Sequence, residues 1–304
     1  MQFLKATLFL SFLVCSLFAS AQNEVAINAK WNNGDTLNYT VIEYVTEQVA
    51  EGRVDTLSFI EKKLQMEVLD SAKYGYLLQW SFENVEQLGE EDAGPLLSDT
   101  IKMQYTTNIY GSFNDLVNWE TIRKQIFDII EKVADDIEDN MGLNVGGQNA
   151  VYGLMYQFNS KEGIYDIYVD ELNIMHYYYG KQYEPDVSLS YDEDFPVTYS
   201  IGAVPGKGTF LLNQDEENFY IKSESETNEA DIKAYYLDII KEMNGGKIPR
   251  REKKRIKNET MFIKEDKQYS YNKSDGSLQS AKYARHQLLD EIHKTEYMSI
   301  ERLD

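Results

Sequence analysis

Apolar and polar residues alternate most regularly between residues 101 and 109. Every second position is apolar or carries a methyl group, namely Ile101, Met103, Tyr105, Thr107 and Ile109. A two-residue period predicts a strand with one buried face. From Trp119 the spacing becomes that of a helix, with apolar residues at 119, 122, 126, 129, 130, 133 and 137. The pattern predicts an amphipathic helix that follows the strand, covers it and ends near Gly142, a suitable left-handed cap.

Three long strands are predicted before this unit, at about residues 37–45, 56–69 and 74–82. In the second, the apolar set changes from odd to even positions near Glu61, which predicts a bulge or bend. The third has five inward positions, Tyr74, Tyr76, Leu78, Trp80 and Phe82. Short connections between these strands predict an antiparallel meander.

The second half of the chain mixes helices with shorter strands. Gly146 and Gly147 are expected to break the chain before a short helix at about 150–158. Ser160 is expected to cap a longer helix that ends at Gly180, and Asn228 to cap another that ends at Gly245. Predicted strands lie at 187–191, 197–201, 209–212, 219–222, 258–264, 267–272, 277–286 and 291–302.

These elements predict an α+β fold with a curved antiparallel sheet or half-barrel and amphipathic helices packed on its concave face. The helix faces expected to meet the sheet are Trp119/Ile126/Ile130, Ile167/Met175 and Tyr236/Ile240. Residues 22–304 are expected to form a single domain, with 22–142 and 143–304 as an alternative subdivision.

Residues 1–21 have the features of a signal peptide. Lys5 is followed by an apolar stretch over residues 6–18 and by Ala19-Ser20-Ala21, a small-residue cleavage site. The apolar stretch is shorter than the roughly 20 residues of a membrane-spanning helix. A lipoprotein signal is rejected because Val14, before Cys15, is not small. We therefore expect an extracytoplasmic protein (periplasm, cell surface or secreted), with no transmembrane segment after signal removal.

Composition narrows the possible chemistry. Cys15 is the only cysteine, so the mature chain is expected to lack disulfides, thiol nucleophiles and thiolate metal sites. The net charge of −21 disfavours nucleic acid and anionic lipid headgroups as partners. The chain has 23 tyrosines, and an aromatic-rich exported protein without cysteine is expected to be rich in β structure.

One glycine-rich segment superficially resembles a phosphate-binding loop. Residues 202–209 read GAVPGKGT, with three residues between the first two glycines and Gly208 directly after Lys207. The nucleotide motif requires four intervening residues and a hydroxyl residue after the lysine, which would bind Mg²⁺. We interpret the segment as a strand connection.

Other candidate chemistry is equally weak. His176, His286 and His293 lack metal-site spacing, and His176 is expected to pack or cap at a helix end. Asp192, Glu193 and Asp194 could serve acid–base catalysis or calcium, but no calcium-loop spacing surrounds them and no Gly-x-Ser-x-Gly motif is present. We expect no enzyme activity, no catalytic residues, no cofactor and no metal, and the sequence alone identifies no binding residues.

Residues 247–257, KIPRREKKRIK, form the one basic segment. It is interpreted as a solvated linker or the start of a frayed helix, or alternatively as a contact for an acidic partner or phosphate groups. One hypothesis places Arg250 and Arg251 near the acidic end of the 118–140 helix, which contains Asp135, Asp136, Glu138 and Asp139.

The signal ending Ala19-Ser20-Ala21-Gln22 resembles export signals common in Bacteroidota. Four Asp-Ser/Thr segments, beginning at Asp35, Asp55, Asp70 and Asp99, are similar to the O-glycosylation pattern of that group's exported proteins. The overall organisation resembles uncharacterised secreted or periplasmic families of that phylum. By architecture it also resembles curved half-barrel carriers of lipoproteins and lipids, although architecture does not assign function.

Two functional classes follow from these expectations. The first is a non-catalytic binding or carrier module for an apolar, partly apolar or lipid-like ligand held between sheet and helices. The second is a structural or interaction protein of the cell envelope with a filled core. A cavity of a few hundred Å³ would favour the first class, and a solid core the second.

Overall fold

The computed structural model describes residues 24–48, 53–89, 101–141, 145–196, 202–289 and 292–303. The strands in these ranges are β1 (Val25–Ala26), β2 (Thr36–Gln48), β3 (Val54–Ala72), β4 (Gly75–Gly89), β5 (Lys102–Asn108), β6 (Phe113–Leu116), β7 (Gln182–Tyr183), β8 (Leu189–Pro196), β9 (Ala203–Gln214), β10 (Asn218–Thr227), β11 (Phe262–Asn272), β12 (Leu278–Leu289) and β13 (Ile292–Leu303). The helices are α1 (Trp119–Met141), α2 (Val145–Gln157), α3 (Lys161–Tyr165), α4 (Val169–His176), α5 (Glu229–Met243) and α6 (Arg250–Asn258).

One large antiparallel sheet contains eleven of these strands. Its order is β6-β5-β4-β3-β2-β13-β12-β11-β10-β9-β8, so β6 and β8 are edges and the described sheet is not closed. Consecutive strands are neighbours except where β2 pairs with β13, joining the first long strand to the last. The large antiparallel sheet with accompanying helices confirms the coarse prediction, although β structure predominates. The expected curvature remains a prediction.

Alternate strand residues are buried on one face, as the two-residue period predicts. Leu64, Met66 and Val68 of β3 are buried, as are Leu78, Trp80 and Phe82 of β4. Ile122, Ile126 and Ile130 of α1, together with Leu172 and Met175 of α4, belong to the same hydrophobic cluster. Each such buried aliphatic side chain contributes roughly 1.5–3 kcal/mol. This larger core therefore includes residues of both the sheet and the helices.

A smaller core lies beside α5 and α6. Its buried members are Phe195, Val204, Ile232, Ile256, Met261, Ile263 and Leu289, with Tyr236 and Ile240 packed against them. Asn228 caps α5 as predicted, because its Oδ1 accepts a hydrogen bond of 2.8 Å from the Ala230 amide. From Arg250 the basic segment lies in α6, so of the two structural expectations the helix, and not the linker, is found, and Ile256 is fully buried on one face of this helix.

Several predicted boundaries are wrong. Ser160 does cap a helix, its Oγ accepting from the Gly163 amide at 3.1 Å, but this helix ends at Tyr165 and α4 begins separately at Val169. The residues expected to break the chain, Gly146 and Gly147, lie inside α2.

Two expectations about strands also fail. Tyr74 lies in the turn before β4 with 82% of its surface exposed, so it is not an inward position. The two strands expected within residues 258–272 are the single strand β11.

The bulge expected near Glu61 is confirmed by a register shift between Glu61 and Lys62. The signal segment 1–21, the strand expected at 197–201 and Gly142 lie outside the described residues.

Candidate functional site

A cavity of about 560 Å³ lies between α4 and strands β2, β3, β8, β11, β12 and β13. Its lining is mixed, with apolar side chains such as Ile60 and Ile174 beside seven charged residues. Those charged residues are Glu43, Asp170, Glu193, Glu265, Lys267, Arg285 and Glu296. The size is typical of a small-molecule site.

Strand register explains why so many charges meet here. Glu265 lies opposite Arg285, which in turn lies opposite Glu296, so one row across three strands is charged. In the next row Lys267 lies opposite Tyr283. Since side chains at alternate positions share one face of a sheet, these rows face the same side as the buried cores.

The charged rows separate the two hydrophobic cores. On β11, Ile263 belongs to the smaller core and Tyr269 to the larger one, with Glu265 and Lys267 between them. On β12, Arg285 lies in the same way between Ala281 and Leu289. The cavity therefore occupies a polar belt between two apolar regions of one sheet face.

Glu265 organises one side of this belt. Its carboxylate lies 2.8 Å from the Lys267 Nζ and 3.6 Å from the Arg285 guanidinium, and it accepts a hydrogen bond of 3.0 Å from the Tyr283 hydroxyl. Lys267 also pairs with Glu193 at 3.1 Å. Burial lowers the pKa of Lys267, but Glu265 and Glu193 outweigh it, so the net direction is upward. This lysine is charged at neutral pH.

Lys62 organises the other side through its ion pair with Glu43, although it does not itself line the cavity. Only 2% of its side chain is exposed, and its Nζ lies 2.5 Å from Glu171 of α4 and 2.6 Å from Glu43 of β2. Burial lowers the pKa of Lys62, but the two carboxylates raise it by more than burial lowers it. The net pKa is therefore above the ordinary value for a lysine. Burial also raises the pKa of Glu43, although Lys62 opposes this shift.

Asp170 differs from the other carboxylates that line the cavity. Glu43, Glu193 and Glu265 have the cation partners given above, and Glu296 lies 2.9 Å from Lys294. Among the residues that the structure describes, none forms an ion pair or hydrogen bond with the Asp170 carboxylate. Burial, together with Glu171 and Glu296, raises its pKa, and Arg285 and Lys62 oppose this shift without reversing it. Asp170 is thus the lining carboxylate without a direct ion-pair or hydrogen-bond partner among the described residues.

Aromatic rings complete the wall beside α4. The Tyr269 ring contacts the Tyr178 ring edge-on, with centroids 4.7 Å apart. Tyr177, at the end of α4, is 57% exposed, and the Nζ of Lys181 lies 3.3 Å from the centre of its ring. This short distance indicates a cation–π contact.

His176 is a packed histidine, as expected from its position at a helix end. It is 3% exposed, and burial lowers its pKa to about 4, so the ring is neutral at pH 7. Nδ1 lies 2.8 Å from the Gly111 carbonyl and must donate to it. Nε2 is then the acceptor for the Tyr105 hydroxyl, also at 2.8 Å. The ring links α4 to β5 and the turn after it.

The other candidate residues from the sequence do not converge. His286 Nδ1 lies 3.1 Å from Thr295 Oγ1, and His293 Nδ1 lies 2.8 Å from Gln48 Oε1. Asp192 and Asp194 are exposed, whereas Glu193 lines the cavity, because adjacent strand residues face opposite sides. Within the described ranges no group of three His, Cys, Asp or Glu residues could hold a metal ion.

From Ala203 onward the glycine-rich segment lies inside β9, so the interpretation as a strand connection is wrong. A Cβ at Gly206 would lie 2.5 Å from the Glu226 carbonyl oxygen and 2.5 Å from the Phe195 ring. A Cβ at Gly208 would lie 2.3 Å from the Tyr191 ring. These glycines therefore let two aromatic rings of β8 approach the β9 backbone closely.

Arg250 and Arg251 open α6, which contacts α5. The side chains after Asp135 in α1, which include most of the acidic end, lie outside the described part of the chain. The proposed approach of the two arginines to that end therefore stays a hypothesis.

The charged residues of the polar belt were not identified from the sequence. A signal was present, because Lys62 interrupts the inward row Ile60, Leu64, Met66, and Glu265 and Lys267 interrupt the row Ile263, Tyr269, Tyr271. Charged residues at inward strand positions are unusual and are expected to be paired. Their partners on other strands and on α4 could not be identified without the register.

Comparisons with known proteins leave the family open. No protein-family model and no curated protein matches the chain. A solved structure titled lipid–protein interactions in lipovitellin is similar over 90% of this chain and 25% of its own, at 7% identity and a TM-score of 0.40. A porin-like protein from Bacteroides uniformis covers 86% of this chain and 95% of its own, at 9% identity and a TM-score of 0.16. This chain thus spans about a quarter of the lipovitellin chain.

In the portion of the chain that the structure describes, no helix is long and apolar enough to cross a membrane.

Proposed function

We propose that this chain is an exported, non-catalytic binding or carrier module whose small-molecule ligand occupies the cavity between α4 and the sheet. The observation that carries the proposal is the cavity itself, about 560 Å³ in volume and lined by both apolar and charged side chains. A protein whose only role was structural would gain stability from filling this space with apolar side chains.

The lining narrows the ligand class expected from the sequence. A purely apolar molecule would remove water from Glu265, Lys267 and Asp170 without replacing the hydrogen bonds of that water, which is unfavourable. A molecule with an aromatic or aliphatic part and a polar group matches the lining better, because Ile60 and Ile174 lie in the same cavity. We therefore infer a partly apolar ligand.

Isothermal titration calorimetry with tryptamine, tryptophol and indole-3-propionate tests this function. The three probes share one ring and differ in charge. At least one is expected to bind with one-to-one stoichiometry, and the cavity-filling variant Ser58→Trp is expected to abolish binding. Leu57→Trp, at the neighbouring position that is 45% exposed, is the matched control and should retain binding. Absence of binding for all three probes would overturn the proposal.

A second candidate is the interaction protein of the cell envelope, now with its role carried by the surface. Tyr152 and Tyr156 are 69% and 86% exposed on α2, one helical turn apart, and Leu154 is 41% exposed. Large exposed apolar side chains on one element are typical of contact surfaces. Recovery of one stoichiometric envelope partner, lost in a variant carrying Tyr152→Ser and Tyr156→Ser, would support this function.

A further inference from the structure

We propose that the ligand of the cavity carries a protonated amine, bound by the Asp170 carboxylate and by aromatic rings at the end of α4. The inference rests on the binding function proposed above and specifies its ligand class. Three observations support it. They are the excess of carboxylates in the cavity, the α4 residues that line the cavity, and the contact of the Lys181 ammonium group with the Tyr177 ring.

The charge balance favours a cation. Five carboxylates line the cavity, against the two cations Lys267 and Arg285; when the ion-pair partners Lys62, Glu171 and Lys294 are included, six carboxylates face four cations. Lys267 and Arg285 both already face Glu265, at 2.8 and 3.6 Å respectively. Asp170, in contrast, is unpaired among the described residues. In a partly enclosed site such a surplus concentrates the local potential and attracts positive ligands.

The face of α4 that borders the cavity provides the complementary groups. Asp170, Asn173, Ile174 and Tyr177 all line it. Their spacing of three, four and seven residues places them on one side of the helix. A ligand along this face would meet a carboxylate, an amide, an apolar side chain and an aromatic ring in succession. A ligand with an amine at one end and an apolar group at the other would place its amine at the carboxylate and its apolar group at the apolar and aromatic side chains.

Lys181 shows that the ring at this end accepts an ammonium group. Its Nζ lies 3.3 Å from the centre of the Tyr177 ring, and Nζ is also 5.9 Å from the centre of the Tyr178 ring. Ammonium groups over aromatic faces are a common means of recognising organic amines. The contact is independent of the acidic residues, and because Lys181 occupies this face of the Tyr177 ring, a ligand amine would have to displace it or use the opposite face.

An organic cation fits better than a metal ion. Among the described residues, no three carboxylate or imidazole side chains converge closely enough to coordinate a metal. The cavity volume of about 560 Å³ also suits a molecule with many atoms.

The preference among the three indole probes tests the inference. Tryptamine is expected to bind about ten-fold more tightly than tryptophol, with indole-3-propionate weakest. Asp170→Asn should lower the tryptamine affinity about ten-fold and leave the tryptophol affinity unchanged. Asp128→Asn, at an exposed position of α1 outside the cavity lining, is the matched control and should change neither affinity.

A second variant tests the role of the aromatic ring in amine binding. Tyr177→Leu removes an exposed ring and should weaken tryptamine more than tryptophol. Equal binding of all three probes, or tryptamine binding that Asp170→Asn leaves unchanged, would overturn the amine inference while leaving the binding function intact. Failure of every probe to bind would instead overturn the binding function, and the amine inference with it.

Discussion

Lys62 and Glu171 form a buried ion pair between β3 and α4, with Nζ 2.5 Å from Oε1 across 109 positions of sequence. Their side chains are 2% and 5% exposed. Glu43 lies on the other side of the same ammonium group at 2.6 Å. Because a buried charge needs a compensating partner, this triad requires α4 to lie in one place over the sheet. That position defines one wall of the cavity.

Lys62→Met is expected to lower the free energy of unfolding by about 3–5 kcal/mol at pH 7, because it leaves two neighbouring carboxylates without their cation. The pKa of Glu43 is already raised in the folded protein. A carboxyl with a raised pKa stabilises the fold below its ordinary pKa, and this contribution is lost as pH rises through the raised value. The deficit should therefore shrink between pH 7 and pH 4.5.

Urea unfolding at several pH values measures this effect. Lys63→Met is the control, since Lys63 is 55% exposed and its nearest carboxylate lies 3.8 Å away. Equal stability of the two variants at pH 7 would contradict the role assigned to the triad.

His176→Gln should reduce the dependence of stability on pH. The folded ring has a pKa of about 4, below its ordinary 6.5, so its contribution is present above pH 6.5 and is lost as pH falls towards 4. The difference corresponds to about 3 kcal/mol. Glutamine can keep one donor and one acceptor but does not titrate. Chemical denaturation from pH 7 to pH 4 should show a smaller loss in the variant than in the natural protein, and parallel curves would count against this account.

Ile126→Asn should destabilise the protein by about 3–5 kcal/mol, because it removes a fully buried side chain and buries an amide without partners. Val133→Asn on the same helix is the control, since Val133 is 42% exposed, and it should cost less than about 1 kcal/mol. Thermal melting compares the two variants. Similar melting temperatures for both would show that α1 does not bury the predicted face.

Gly206→Ala should destabilise the sheet, because the added Cβ would overlap the Glu226 carbonyl and the Phe195 ring. Gly153→Ala, inside α2 with no atom within 4 Å of the new Cβ, should instead stabilise the protein by about 0.5–1 kcal/mol. The two alanine variants thus have opposite expected signs in the same unfolding assay. A neutral Gly206→Ala variant would mean that β8 and β9 pack more loosely than the contacts indicate.

Elements whose signals are local could be predicted from the amino-acid sequence. Alternation from Leu37 to Val45 and from Ile101 to Thr107 identified two strands, and the spacing of Ile122, Ile126 and Ile130 identified α1, because side-chain period follows directly from backbone geometry. The caps at Ser160 and Asn228 were also predictable, since each uses a hydrogen bond within three residues. Strand β11 was divided wrongly because Glu265 and Lys267 interrupt its apolar pattern.

Which distant residues meet depends on the assembled fold. Strand register brings β2 beside β13 and aligns the charged row from Glu265 through Arg285 to Glu296. The position of α4 brings Glu171 into contact with Lys62. A local pattern shows that a charge faces inward, but it does not show which charge compensates it. The cavity exists because those compensating charges take the place of apolar packing between two cores, and that arrangement is a property of the assembled sheet.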